Sequence, residues 1–498
     1  MVRYLSIKII SILIISTTLL FYITYRPPKL QLNPIFFKYR SIHNTLIEND
    51  PTFPSRSIAD KCNAYFQTLQ SLQPDWSFTQ KLGPDYPHDN IRKSEDLIHL
   101  NVFNRCFISE NSHKTKHIFQ KSNDSWNIQQ RMFPYLSGEL PEFKDSNLDV
   151  KPLKFDGELP YWLNYKENII KGQGIVISLS DTFINEAILL LNHLQDLQNT
   201  LPIQFIHRAD LSIANMAKLI AIAKSKNPVQ EVSFLNVTRA LSSEYKNEFR
   251  SYFNKLLAYA FNTFEEIIIL DTDVVLFNSP KSLFKTKAYK QSETLFFKDR
   301  NTEMRMSDAY IKFLRETSMN EFDNLFFPGV SINPSFWENE YFTNRYFHYM
   351  ESGVVVINRK KYWNAVLLSL QLPYIQSTAI ASWGDKEFFW LSMLLSGYDS
   401  FKFNKYWSAT VGEVIQENEL NSPHKICSGH PAHILDETDE LLWINSGILN
   451  CDKTTQAILQ YDFELLQKYN NNRFKSITDL TEYYTKPIKF EAFIIPPV

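Results

Sequence analysis

The sequence predicts an α/β domain built on a mainly parallel sheet flanked by helices, behind an N-terminal apolar segment, a stem and an accessory helical region. Two observations lead to this prediction. Apolar, β-branched runs alternate with segments of helical periodicity from residue 172 onward, which is typical of βαβ units and parallel strands. The 498 residues are also 44% hydrophobic, which is enough to bury a large core.

The predicted elements alternate regularly along the chain. Each predicted strand is a short apolar run bounded by polar residues, and each predicted helix has apolar side chains at helical spacing. The strands are predicted at 172–180, 201–208, 229–237, 265–277 and 351–363. The helices are predicted at 181–198, 212–226, 248–264 and 385–397.

A membrane anchor is predicted at the N-terminus, where residues 9–25 carry no charged side chain. A cleaved signal peptide is the alternative, but no pair of small residues suited to cleavage precedes Pro27. We therefore expect a single-pass type II protein with its body in the lumen of a secretory compartment. The expected domains are a cytosolic tail at 1–8, the anchor at 9–25, a stem and accessory region at 26–168, a catalytic domain at 169–480 and a C-terminal tail at 481–498.

The cysteines and the sequons agree with a lumenal body. Four cysteines allow three pairings, and we expect the two pairs that are local in sequence, with four free thiols as the alternative. The expected disulfides are Cys62–Cys106 and Cys427–Cys451. Sequons predict N-glycosylation at Asn123 and Asn236. The net charge of −2 gives no reason to expect a nucleic-acid partner.

Two aspartates, Asp271 and Asp273, interrupt the apolar run 265–277. If the segment is extended, their side chains project to the same side. The carboxyl end of a buried strand is where open α/β sheets bind ligands. Two neighbouring carboxylates repel each other unless a cation lies between them, and Mg²⁺ or Mn²⁺ prefers such oxygen ligands. The pattern therefore predicts a metal–phosphate site, and a pair of solvated turn residues is the alternative.

Two enzyme classes place such aspartates at a strand end. In phosphatases of the haloacid-dehalogenase type the motif opens the fold, whereas here about a hundred residues of α/β pattern precede Asp271. Their closing acidic motif is also incomplete, because Phe389 stands four residues after Asp385 where a second aspartate is expected. In GT-A glycosyltransferases a nucleotide-binding βα half precedes the aspartates, which is the order found here.

Beyond this order, the chain resembles the fungal α-1,3-mannosyltransferases of the Golgi. The resemblance rests on "NKLLAYAFNTFEEIIILDTDVVLFNSPKSLF", "YMESGVVVINRKKYW" and "WGDKEFFWLSMLLSGY", followed by "CSGHPAHI" and "LLWINSGIL". These blocks occur in this order and cover roughly residues 172–451. The paired aspartates alone are a generic signal, whereas the ordered set is specific.

The resemblance implies a GT-A fold and a Golgi membrane protein that transfers mannose from GDP-mannose to mannose residues of N- or O-linked glycans, as in cell-wall mannan. It also implies α-1,3 linkage, retention of the anomer, a requirement for Mn²⁺ and membership of a transferase complex. A non-enzymatic lumenal subunit of such a complex is an alternative function, and a phosphatase is a weaker one.

The expected site residues follow from the same blocks. We expect catalytic roles for Asp385, Glu387 and Glu351, with helix-dipole or packing roles as the alternatives. The expected donor-binding residues are Lys255, Asp271, Ser352 and Gly353. The expected Mn²⁺ ligands are Asp271, Asp273 and His430, with His433 as the alternative histidine. Trp383 is expected either to stack on a sugar ring or to fill the core.

Overall fold

The computed structural model describes residues 39–78, 90–110, 112–249, 251–300, 304–329, 331–375, 382, 384–415, 424–445, 458–461, 466–468 and 492–494. These residues belong to one compact unit that begins at Tyr39. Among them, every helix is too short or too polar to cross a lipid bilayer. The predicted anchor at 9–25 lies outside the described residues, and the predicted domain boundaries stay predictions.

The α-helices are α1 Ser41–Asn49, α2 Ile58–Leu72, α3 Asn90–Phe107, α4 Ser112–Trp126, α5 Ile128–Met132, α6 Tyr161–Asn164, α7 Ile184–Asp196, α8 Ile213–Ser225, α9 Phe253–Phe261, α10 Lys287–Ser292, α11 Asp308–Thr317, α12 Glu321–Phe326, α13 Glu340–Thr343, α14 Trp363–Ser369 and α15 Phe388–Leu395. Capping residues explain where several of them begin. Ser57 and Ser212, for example, accept hydrogen bonds from Asp60 and Asn215 at the first turns of α2 and α8.

The strands are β1 Glu142–Lys144, β2 Val150–Lys151, β3 Gln173–Ser178, β4 Ile203–His207, β5 Val232–Asn236, β6 Glu266–Leu270, β7 Val275–Leu276, β8 Thr294–Lys298, β9 Met350–Asn358, β10 Ala409–Ile415, β11 His424–Ile434, β12 Leu441–Ile444, β13 Ile458–Tyr461, β14 Leu466–Lys468 and β15 Ala492–Ile494. They form two sheets.

The larger sheet has the strand order β2-β1-β5-β4-β3-β6-β9-β8. Its central strands β5, β4, β3 and β6 are parallel, and α7, α8 and α9 connect them in the predicted order. The outer strands β1, β2, β9 and β8 pair antiparallel. The predicted α/β fold with a mainly parallel central sheet is therefore confirmed. Its core strands are apolar and buried over most of their length, as expected of parallel strands covered on both faces.

The segment 265–277 differs from its prediction as one continuous strand. β6 ends at Leu270, and the backbone N–H of Val274 donates to the carbonyl of Asp271 at 3.3 Å, which closes a turn. Aspartate favours turns because its side chain can hydrogen-bond to the nearby backbone. The alternation of side chains along a strand therefore does not apply to Asp271 and Asp273.

The second sheet is antiparallel and was not predicted. β7 leaves the turn after β6 and pairs with β12, which pairs with β11. β11 also pairs with β10, β10 pairs with the short strand β15, and β15 pairs with β14. The turn at residues 271–274 thus connects the two sheets.

The helices of the accessory region are fastened to the sheet domain. A disulfide joins Cys62 of α2 to Cys106 of α3, which is the pairing that the sequence favoured. The guanidinium of Arg40 forms a fully buried ion pair with Asp323 of α12 at 2.6 Å. Asn101 of α3 donates to the carbonyl of Leu395 at 3.1 Å. Although residue 40 falls in the segment predicted as a stem, it is therefore part of the folded body.

One buried arginine holds the helix that precedes β6. Arg359 directly follows β9, and its side chain donates hydrogen bonds to backbone carbonyls at the end of α9 and in the connection to β6. The acceptors are Tyr259, Ala260, Asn262 and Phe264. These charge-assisted bonds satisfy helix-terminal carbonyls that would otherwise lack partners. α9 is thereby fixed beside β6, which matters because α9 carries Lys255.

Candidate active site

The candidate site lies where the parallel strands of the large sheet end. β6 and β9 run antiparallel, with Leu270 opposite Val354, so the carboxyl end of β6 meets the first residues of β9. The backbone N–H of Asp271 donates to the carbonyl of Gly353 at 3.0 Å. The turn at residues 384–387, which precedes α15, reaches the same place.

Lys255 forms the centre of this cluster. Its Nζ lies 2.8 Å from Oδ1 of Asp271 and 3.2 Å from Oδ2 of Asp385. The same ammonium donates to the backbone carbonyl of Ser352 at 2.5 Å, and the Ser352 hydroxyl lies 3.4 Å from the Asp385 carboxylate. The structure therefore brings together four of the residues that the sequence singled out, from α9, β6, β9 and the turn before α15.

The charges of the cluster are coupled through Lys255, which is 6% exposed. Burial lowers the pKa of this lysine, whereas the carboxylates of Asp271 and Asp385 raise it. The net pKa is above the usual value of a lysine. Burial also raises the pKa of Asp271, and Lys255 opposes that effect. Because the Asp271 side chain is 36% exposed, water on its open side screens part of the shift.

The two aspartates of the turn face different surroundings. Asp271 contacts Lys255, whereas Asp273 is exposed at the surface of the turn. Together with Asp385 they give three carboxylates against one ammonium, an excess of negative charge that a hard divalent cation would neutralise. Among the described residues, His, Cys, Asp and Glu side chains do not converge in a group of three that could hold a metal ion. A cation bound by the turn would therefore take further oxygen ligands from water and phosphate.

A second lysine organises the neighbouring acids. Lys386 places its ammonium 2.7 Å from Glu351 and 2.8 Å from Asp299, which follows β8. Glu351 is 1% exposed and also accepts hydrogen bonds from the backbone N–H of Gly353 at 3.1 Å and the amide of Asn445 at 3.0 Å. Burial raises the pKa of Glu351, but Lys386, together with His433 and the Gly353 N–H, lowers it, and the net pKa is below the usual value.

Glu387 is nearly as enclosed as Glu351. It is 2% exposed, and its carboxylate accepts hydrogen bonds from the backbone N–H of Met350 and the indole of Trp390. Burial raises the pKa of Glu387 to about 7. Glu387 therefore lies beneath the surface of the site.

The glycine at the start of β9 is required by close packing. A Cβ placed on Gly353 would lie 2.9 Å from the Trp443 ring and 3.2 Å from the Asn445 amide. Any side chain there would displace β12 residues or the hydrogen bond from Asn445 to Glu351. Gly353 thus sets the shape of the site, and its predicted contact with the donor stays a prediction.

Of the two predicted histidines, the structure describes the side chain of His433 only. His433 is 1% exposed and stacks on Trp443 with ring centroids 4.0 Å apart. Burial lowers the pKa of His433 to about 3, so the ring is neutral and belongs to the core. The backbone of His430 pairs with Val411 across β10 and β11, while its side chain lies outside the described residues, as does Trp383.

The predicted modification sites are also only partly described. Asn123 lies in α4 and accepts a hydrogen bond from the backbone of Gln129, and Asn236 ends β5 and accepts one from Thr238. Glycosylation of both stays a prediction. The backbone of Cys427 lies in β11, but Cys451 lies outside the described residues, so the expected Cys427–Cys451 disulfide stays a prediction.

Sequence reasoning missed three residues of the second lysine cluster, Lys386, Asp299 and Asn445. Lys386 stands between two acids that were singled out, and Asp299 follows an apolar run that forms β8. An acid at the end of a strand and a base flanked by acids were therefore usable signals. Asn445 gave no such signal, because β12 was not predicted.

Comparison with known proteins identifies the family of the chain. Residues 172–435 match the family model described as "Mannosyltransferase putative". The alpha-1,3-mannosyltransferase MNT2 of Saccharomyces cerevisiae is 31% identical over 93% of this chain and 88% of its own length. MNN14 of Candida albicans is 32% identical over 80% of this chain, which spans 62% of the length of that relative.

Among solved structures, the mannosyltransferase Ktr4p of Saccharomyces cerevisiae in complex with GDP is 13% identical and covers 62% of this chain and 84% of its own, with a TM-score of 0.31. That score is too low to match individual positions. The family match and the extent of the similarity to MNT2 are sufficient to assign the chain to a family. They confirm the resemblance inferred from the sequence, and the chain belongs to the mannosyltransferase family that includes the fungal alpha-1,3-mannosyltransferases.

Proposed function

We propose that this chain transfers mannose from GDP-mannose to a mannose residue of an N- or O-linked glycan, forming an α-1,3 bond with retention of the anomer. Membership of the mannosyltransferase family supports the reaction class. The relative MNT2 bears the name alpha-1,3-mannosyltransferase, which supports the linkage. The observation that carries the proposal is the shared ion pair of Lys255 with Asp271 and Asp385 at the end of β6.

The metal of the proposed reaction is Mn²⁺, held by the turn after β6. Asp273 offers an exposed carboxylate and Asp271 a partly exposed one. When bound, the cation stabilises the charge that grows on the departing diphosphate. His430 remains a proposed further ligand, since an imidazole suits Mn²⁺ as well.

Asp385 is the residue that we expect to meet the transferred sugar. It shares the Lys255 ammonium with Asp271, which we propose as a metal ligand, so the mannose of a donor whose diphosphate bound that metal would come close to Asp385. Glu351 and Glu387 are more deeply enclosed, and their oxygens already accept hydrogen bonds. A carboxylate at this place serves retention either as a nucleophile or by orienting the acceptor hydroxyl for attack beside the leaving phosphate.

The proposed location is the Golgi lumen, with a single-pass type II topology. The apolar segment at 9–25 supports an anchor, and the buried Cys62–Cys106 disulfide supports an oxidising compartment. A glycoprotein acceptor and a transferase complex belong to the same proposal.

The test is sugar transfer by the full chain, purified in detergent. GDP-mannose is offered as donor with UDP-sugars as controls, α-mannobiose is the acceptor, and Mn²⁺ or EDTA is added. Asp385→Asn is compared with Asp196→Asn, a substitution in a surface ion pair with Lys226. We expect Mn²⁺-dependent mannose transfer that D385N abolishes and D196N retains, and linkage analysis of the product to give α-1,3.

Two results would contradict the proposal. Transfer from a UDP-sugar in preference to GDP-mannose would overturn the donor. A folded chain that binds GDP with Mn²⁺ but transfers no sugar to any mannoside would point instead to a non-enzymatic subunit.

A further inference from the structure

The turn that carries Asp385 is matched residue by residue to the start of β9. Glu387 accepts from the backbone of Met350, Lys386 pairs with Glu351, and Asp385 lies against Ser352. As the turn advances by one residue, its partner on β9 recedes by one. The turn is thus laid antiparallel to the strand, although its links run through side chains rather than through a backbone ladder.

Lys386 differs from its two neighbours because it also reaches a third element. Its ammonium contacts Asp299, directly after β8, as well as Glu351 on β9. β8 and β9 are paired at this point, with Phe297 opposite Glu351. One side chain therefore ties the turn to two adjacent strand ends.

We propose that Lys386 is a positioning residue, which holds Asp385 against Lys255 by binding Glu351 and Asp299 at the same time. This role rests on the proposed function, because it concerns the position of Asp385 in the proposed transfer reaction. Both carboxylate partners of Lys386 are buried side chains of the protein, so its ammonium is engaged by Glu351 and Asp299.

Removing the Lys386 ammonium would change the balance of charge around its two carboxylate partners. Glu351 and Asp299, 1% and 6% exposed, would lose the ammonium that they share, and the exposed guanidinium of Arg300, 3.7 Å from Asp299, would remain. Their repulsion would push the turn away from β9 and move Asp385 with it. The donor-binding turn after β6 is held separately, through the backbone of Gly353 and through Lys255. A misplaced Asp385 should therefore slow the chemical step more than it weakens donor binding.

The experiment compares Lys386→Met, Lys386→Arg and the matched control Lys298→Met in the full-length chain. Lys298 is a buried lysine at the end of β8 whose ammonium pairs with the half-exposed Glu340 at 2.8 Å. For K386M we expect kcat to fall about 100-fold with KM for GDP-mannose within about twofold of the wild type. K298M should keep both constants, and K386R should recover about tenfold of the lost kcat because it restores the charge.

Other results would overturn the inference. These are an unchanged kcat in K386M, a raised donor KM with unchanged kcat, or an equal loss in K298M. If K386M does not fold, as judged by circular dichroism, Asp299→Asn is the variant that tests the inference. It removes the ion pair with Lys386 and leaves a neutral amide. A kcat about tenfold lower at unchanged KM then supports the inference, and an unchanged kcat contradicts it. If the wild-type chain transfers no mannose, the proposed function fails instead.

Discussion

The Lys255 ammonium lies 2.8 Å from Oδ1 of Asp271, which joins the first turn of α9 to the end of β6. The sequence places these residues sixteen positions apart, on either side of a tight connection. Because Lys255 also binds Asp385, it holds together two acids that would otherwise repel each other. Its main contacts are therefore with the protein's own carboxylates, and any contact with the donor would be added to these.

Replacing Lys255 with methionine should abolish most activity while leaving the fold intact. The substitution leaves Asp271 and Asp385 at the carboxyl end of β6 without the ammonium that they share, so their mutual repulsion would displace them. We expect kcat/KM for mannose transfer to fall at least about 100-fold, with an unchanged circular dichroism spectrum. Lys226→Met, which removes a surface pair with Asp196, is the control and should behave as the wild type. Activity in K255M within tenfold of the wild type would contradict this account.

Much of the fold could be predicted from the sequence because its central strands are buried on both faces. β3, β4, β5 and β6 read as apolar runs, and amphipathic segments between them gave the helices. The second sheet could not be predicted, since β10 and β11 mix polar and apolar residues and their pairing depends on distant partners. The turn after Leu270 was also missed, because Thr272 and the valines that follow favour an extended backbone.

The site was predictable residue by residue but not as an arrangement. Lys255, Asp271, Ser352 and Asp385 were each singled out by their motif, yet nothing local says that one ammonium contacts the other three. The Lys386–Asp299 pair spans 87 positions and depends on the pairing of β8 with β9. Such contacts follow from topology, which periodicity alone does not supply.

Replacing Asp273 with asparagine should weaken the metal dependence of the reaction. The residue is exposed and lies in a turn, so the substitution has little effect on folding. An amide binds Mn²⁺ less strongly than a carboxylate, and we expect about tenfold more Mn²⁺ to be needed for half-maximal transfer. The measurement is the rate of transfer as Mn²⁺ is titrated, with Asp196→Asn as the matched surface control. Identical titration curves for D273N and the wild type would remove Asp273 from the metal site.

The buried Glu387 should make the folded state less stable as the pH rises. Its pKa is raised to about 7, so the folded chain retains a proton that the unfolded chain has already lost. The stabilisation is fully present below the unfolded pKa of about 4.5 and is lost as the pH rises through about 7, by about 3 kcal/mol in all. The buried His433, with its lowered pKa, acts in the opposite sense below about 6.5.

A comparison of variants separates these two effects. Glu387→Gln removes the carboxyl titration and leaves that of His433 unchanged. Between pH 5 and 7.5, the free energy of unfolding of the wild type should therefore fall relative to that of the E387Q variant, measured by urea denaturation at each pH. Parallel pH profiles for the two proteins would mean that Glu387 is already ionised in the folded state.

The last prediction concerns Arg40, which precedes α1 and pairs with Asp323 in full burial at 2.6 Å. Its guanidinium also donates to the carbonyls of Glu316 and Ser318. Arg40→Met would leave the Asp323 carboxylate buried without its cation, and we expect it to lower the free energy of unfolding by about 3–5 kcal/mol. The matched control is Arg56→Met, which breaks the ion pair with Asp50 at 2.7 Å, where the arginine is 47% exposed. That loss should cost less than about 1 kcal/mol, because water screens the pair. Equal effects of R40M and R56M in thermal and urea unfolding would mean that residue 40 is not anchored to the folded body.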